Sequence, residues 1–176
     1  MSSTGAFLSP SAGYKSGISS SVLNTQCSLY QATTIPNVDK TSYWKTRVTG
    51  ISKGSASGDY VGYLSIGSNT TCTPVSGYFG FCVKTNQNNF QILDGNSIID
   101  SGVAVQTGTA YTFEVNFNRF TSTLTFKING TVVHTNTSST NVSFNFNFNS
   151  SGSGSSGSLT APTLSIDYYA VKYARY

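Results

Sequence analysis

Apolar and polar side chains alternate in short runs along most of this chain. Between Thr109 and Asn118, the residues Tyr111, Phe113, Val115 and Phe117 are separated by Thr112, Glu114, Asn116 and Asn118. A period of two marks a half-buried strand, because successive side chains leave opposite faces of a sheet. Leu124, Phe126 and Ile128 alternate in the same way within 121–129, as do Val142, Phe144, Phe146 and Phe148, and Leu164, Ile166 and Tyr168 within 163–172. In 42–51, Tyr43, Lys45, Arg47 and Thr49 share one face, and Trp44, Thr46, Val48 and Gly50 the other. Shorter candidate strands lie at 26–32, 60–66, 88–93 and 97–99, and the run at 77–84 has so little polar content that it reads as a central strand. Asp94-Gly95 and Asn129-Gly130 are hairpin dipeptides, since type I′ turns want positive φ at both central residues. After the second of them, 131–135 is the returning strand. No amphipathic helix of three turns is visible. The pattern predicts an all-β fold of ten to twelve strands, a two-layer antiparallel β-sandwich of the jelly-roll kind.

Residues 1–20 break this pattern. They are small and polar, with Lys15 as their only charge and isolated Phe7, Leu8 and Tyr14, and they read as an extended N-terminal arm, either loose or ordered against a neighbouring subunit. Residues 21–176 read as one sandwich domain. Gly- and Ser-rich loops are expected at 53–59 and 150–158, and a loop carrying Cys72 and Pro74 at 67–76. The first residues hold neither a basic nor an apolar segment, so no signal peptide is expected. The Asn-x-Ser/Thr triplets, in a chain so rich in these residues, carry little weight.

Composition narrows the function. Charged residues are 9% of the chain and aromatics 13%, the reverse of a disordered segment. The net charge of +4 comes from a shortage of acids, and the basic residues are scattered singly. Nucleic-acid binders cluster theirs, so no nucleic-acid partner is expected, and no apolar run is long enough for a membrane partner. Three cysteines, Cys27, Cys72 and Cys82, without CxxC spacing argue against a disulfide framework and a zinc site, and all three are expected to be reduced. His134 is the single histidine and is expected to face solvent or an interface. Glu114 is expected as the exposed partner of a Lys or Arg, and Asp167 as a strand-face or turn-anchoring carboxylate. No phosphate-binding glycine motif occurs, and no cofactor is expected.

Several phrases, taken together, resemble the concanavalin A-like lectin/glucanase sandwiches, above all those of tailed-phage structural proteins. They are Tyr78-Phe-Gly-Phe-Cys-Val83, Phe90-Gln-Ile-Leu-Asp-Gly95, the stretch from Gly102 to Val115, Thr123 to Val133, and Ser165-Ile-Asp-Tyr-Tyr-Ala-Val171. The resemblance spans about residues 60–175. It implies a concanavalin A-like jelly roll. The chain departs from that family's metal-binding lectins, since its six acids are dispersed and no metal site is expected. It departs from the glucanases too: Glu114 has Thr112 and Asn116 as its i±2 neighbours, so paired catalytic carboxylates are missing and the chain is expected not to be an enzyme.

Few charges and many tyrosines suggest a surface that contacts other subunits. The leading expectation is a non-enzymatic virion structural protein, a capsid decoration, head-fibre or tail-associated subunit, assembled in the host cytoplasm. Its partners would be other virion proteins and copies of itself. The alternative is a carbohydrate-binding, lectin-like receptor-binding module or adhesin with a host surface glycan as partner. Candidate ligand or interface residues are Tyr43, Trp44, Tyr60, Tyr63, Asn88, Tyr173 and Tyr176, with no catalytic residue assigned.

Overall fold

The computed structural model describes residues 16–19, 26–31, 42–52, 62–66, 72–74, 76, 79–84, 87–118, 120–137, 146–151 and 163–173; for 16–19, 26–31, 42–44, 52, 62–66, 146–151, and 163–173 apart from Asp167, only the backbone is described. Twelve strands run in chain order: β1 (Ser16–Ser19), β2 (Gln26–Gln31), β3 (Ser42–Ser52), β4 (Gly62–Ile66), β5 (Phe79–Val83), β6 (Asn89–Asp94), β7 (Ser97–Ala104), β8 (Tyr111–Asn118), β9 (Thr123–Ile128), β10 (Thr131–Thr137), β11 (Phe146–Ser151) and β12 (Thr163–Tyr173). They form two six-stranded antiparallel sheets. Sheet A has the order β1-β12-β3-β8-β9-β10, and sheet B the order β2-β11-β4-β5-β6-β7. This is the all-β, two-layer sandwich that the alternation predicts.

The alternating side chains meet between the layers. Phe79, Phe81, Val83, Phe90 and Ile92 of sheet B pack with Val48, Ile51, Tyr111, Phe113, Val115, Phe117, Leu124, Phe126 and Ile128 of sheet A, all buried. The rings interlock by edges and tilts: Phe113 lies 5.0 Å from both Phe81 and Phe90, and Phe90 lies 4.7 Å from Tyr111. Such offset contacts add to the burial itself. Where the chain crosses from sheet B to sheet A, the Tyr111 hydroxyl donates to the carbonyl of Ala104 (3.0 Å) and accepts from the amide of Gln106 (2.9 Å).

Several local expectations change. Ser16–Ser19, placed by sequence in the arm, pair with β12 as an edge of sheet A; the rest of that segment lies outside the described residues. β7 runs on to Ala104, beyond the short strand expected at 97–99, because an irregularity near Gly102 (φ +71°) lets pairing with β6 resume. Asn129 and Gly130 both have positive φ, as a type I′ turn requires. After Asp94, however, the two central residues are Gly95 and Asn96, and Gly95 alone has positive φ, the pattern of a type II′ turn.

The cysteines give a larger correction. Cys72 and Cys82 form a disulfide, with Cα atoms 6.0 Å apart. Spacing along the chain missed it because Cys72 reaches the outer face of sheet B by packing back over β5. There it joins Cys82, Leu93 and Ile98 in a second apolar cluster. Gly80, Cys82, Gln91 and Leu93 are buried on what would otherwise be an open face.

Candidate functional site

With the outer face of sheet B closed there, the outer face of sheet A is where ionic side chains gather. Register explains how. Lys45 of β3 pairs with Glu114 of β8, and Glu114 pairs with Lys127 of β9, so three charged residues form one row across three strands. The Lys45 and Lys127 ammonium groups each lie 3.4 Å from the Glu114 carboxylate. Asn116, two residues along β8, donates its amide to Glu114 Oε1 at 2.8 Å. One row away, Arg47 Nη1 donates to Asp167 Oδ2 at 2.6 Å. Asp167 sits where the β12–β3 register slips between Ile166 and Tyr168. The bulge sets a carboxylate beside the arginine on the outer face.

Glu114 is the centre of the arrangement. Its side chain is only 18% exposed. That burial pushes the carboxyl up, but the Asn116 amide and the two ammonium groups outweigh it and hold the group below its ordinary value. The result is an ionised acceptor fixed between two cations and an amide, on a surface otherwise dressed with Thr and Asn. Such a row offers both donors and acceptors to a polar ligand. Glu114 was expected as an exposed partner of one Lys or Arg; instead it is half-buried, and two lysines flank it.

A second polar cluster is structural. Asp94, at the end of β6, accepts from Asn136 Nδ2 (2.7 Å) and lies 2.9 Å from His134 Nε2. The His134 ring packs 5.5 Å from Phe126. The group ties the β10 edge of sheet A to sheet B. His134 was expected to face solvent or an interface; instead it turns towards the other layer. The cause is a bulge between Val132 and His134, which moves the histidine from the row of Thr125 to that of Phe126. On β7, Asp100 accepts from the Gly102 amide (2.7 Å) and the Asn89 side chain (2.9 Å), which hold its carboxyl below the ordinary range.

Among the described residues, register places the aromatic candidates on different faces and strands. Tyr43 pairs with Asn116 and so takes a register position on the charged face. Trp44 pairs with the buried Val115, on the opposite face of the same strand. Tyr63 pairs with Cys82, on the outer face of sheet B. Tyr173 ends β12, opposite Ser42. Asn88 is exposed before β6, its carbonyl accepting from Val105 at 2.9 Å. Tyr60 and Tyr176 lie outside the described residues. Sequence reasoning missed Asn116 and Lys127, and gave Asp167 no partner. Their alternation signals a face, but only strand order shows that the faces adjoin.

No family model matches the chain, and no curated protein does. Solved structures do. An alginate lyase from Pseudomonas aeruginosa superposes with a TM-score of 0.60 at 9% identity, covering 99% of this chain and 88% of its own. A carbohydrate esterase of the Shiga toxin-encoding bacteriophage phi24B gives 0.62 at 14%, over 97% and 87%. The basic winged bean lectin, solved with Tn-antigen, gives 0.59 at 14%, over 93% and 87%. The chain therefore has the concanavalin A-like jelly-roll fold. The comparison also corrects one expectation. Most of these similar structures are enzymes, so the fold gives no ground for holding that the chain is not one. The exclusion counted carboxylates along the sequence, whereas the topology sets Glu114 and Asp167 on one face, separated by β3 alone. Two strand spacings across the sheet and one row along it amount to about 12 Å.

Proposed function

We propose that this chain is a carbohydrate-binding jelly roll that lays its glycan across the outer face of sheet A. The observation that carries the reading is the in-register row Lys45–Glu114–Lys127 with Asn116 beside it. Sugar hydroxyls both donate and accept. A fixed carboxylate between two ammonium groups and an amide meets that need with little reorganisation. The chain's own Cys72 segment covers part of the other outer face, which favours sheet A as the contact surface. The lectin and the two carbohydrate enzymes of like fold support the ligand class.

The test is affinity electrophoresis through gels holding sodium alginate, a soluble β-glucan or bacterial lipopolysaccharide, with a printed glycan array alongside. Wild-type protein is expected to be retarded by at least one of them, and the K45A/K127A double variant to run free. The same mixtures, read for newly released chain ends, report turnover, which Glu114→Gln is expected to abolish where it occurs. If no probe slows the wild-type protein and the array stays blank, the proposal falls.

A second reading sets this binding on a bacteriophage particle, as a receptor-binding virion subunit. The phage esterase of like fold is the observation in its favour. Mass spectrometry of purified particles tests it; absence of the chain from particles made by a lysogen that carries its gene would remove it.

A further inference from the structure

Among the described residues, Phe120 and Val132 are the large apolar side chains left in water, and Phe120 is 76% exposed. Phe120 stands at the tip of the β8–β9 hairpin. That tip is ordered by its own side chains. Asn118 Oδ1 accepts the Phe120 amide at 3.0 Å, and Thr123 Oγ1 donates to the Thr121 carbonyl at 3.1 Å. Ser122 holds a φ of +50°, a conformation that non-glycine residues seldom adopt. Two side chain-to-backbone bonds and a left-handed residue thus fix a turn whose central ring touches little of the protein.

The position of the tip gives the ring a use. Asn118 pairs with Thr123, Asn116 with Thr125 and Glu114 with Lys127, so the hairpin tip is the end of the charged outer face. Tyr43 holds the register position beside Asn116. From Glu114 to Asn118 is four residues, about 14 Å along the strand. A path therefore runs from the ionic row, over amide and hydroxyl groups, to an exposed aromatic ring. The geometry points to Phe120 as a stacking platform for a sugar ring of a multi-unit glycan whose hydroxyls meet the Glu114 row. This rests on the carbohydrate-binding reading above and adds its chain length and second contact point. A sugar presents C–H groups on one side of its ring and hydroxyls at its rim. An aromatic face flanked by Asn and Thr matches both. Val132, an aliphatic side chain at the start of β10, has no ring face to offer.

The experiment uses the full chain and the three polysaccharide gels named above. Phe120→Ala is expected to weaken retention about five- to tenfold and to leave the melting temperature unchanged, because the ring is exposed. Phe120→Trp should keep binding. Phe120→Leu, which retains apolar area without a ring face, should not. Oligosaccharides of increasing length should show the difference between wild type and Phe120→Ala only once several sugars are present. Equal retention of wild type and Phe120→Ala overturns the inference while leaving carbohydrate binding intact. No retention of wild type overturns both. If light scattering shows self-association of the wild type that Phe120→Ala abolishes, the ring serves a protein contact and the inference is wrong.

Discussion

The two outer faces of this sandwich have been put to opposite uses. On sheet B, Cys82 and Leu93 are buried together with the disulfide-linked Cys72, and Gly80 and Gln91 on the same face are buried too. On sheet A, Lys45, Arg47, Glu114, Lys127 and Asp167 stand in ion pairs at the surface. An antiparallel sheet needs only one face in the core, and the second is free to be solvated or covered. Here part of one sheet's outer face is covered by the Cys72 segment, and the other sheet's outer face carries the ion pairs. If the proposed glycan contact lies on sheet A, stability and recognition sit on different layers, and substitutions in the two places should separate them.

The largest effect is expected on the sealed face. Leu93→Ala removes a fully buried side chain from the small cluster and should cost about 2–5 kcal/mol in denaturant unfolding, with glycan retention preserved in the protein that remains folded. A cost below that of an exposed-site substitution would show that the cluster seals nothing. Next comes the covalent tie. Cys72→Ala/Cys82→Ala should lower stability by about 2–4 kcal/mol. Thiol titration of the unreduced, denatured wild-type chain should find Cys27 alone free; three free thiols would remove the tie and weaken the contrast between the faces. The smallest effect belongs to the open face. The folded Glu114 carboxyl is held below its ordinary value, so its stabilisation is present above the unfolded value and is lost as pH falls through the folded one. Being partly exposed, it should contribute under ~1 kcal/mol. Glu114→Gln should flatten the acid limb of the stability profile by that amount, while its effect on glycan retention or turnover should be far larger.

Much of this fold is written in alternation. Tyr111, Phe113, Val115 and Phe117 read as one buried face and are one. Leu124, Phe126 and Ile128 do the same, and Asn129-Gly130 makes the turn that its dipeptide promises. What was hidden depends on places where period two fails or where distant segments meet. The bulge at Val133 reverses the parity of His134, and nothing in Thr131-Val-Val-His-Thr135 announces it. The Cys72–Cys82 bond joins residues only ten apart, yet it needs a loop to turn back over a face. The charged row was half legible: Lys45 and Arg47 share a strand face in the sequence, and Glu114 asks for a cation. That β12, β3, β8 and β9 stand side by side follows from long-range pairing, which alternation alone does not encode.

The grip of Tyr111 on Ala104 and Gln106 has a consequence for how the chain assembles. Between Phe79 and Thr137 every strand hydrogen-bonds to its sequence neighbour except at one crossing, so this run closes only short loops, a kinetically cheap process. Two three-stranded ribbons can thus form independently, and the phenol at the crossing is the clasp that folds one onto the other. Tyr111→Phe keeps the ring and removes the clasp, and it should therefore slow the docking of the ribbons more than the formation of either, a difference that stopped-flow refolding can resolve.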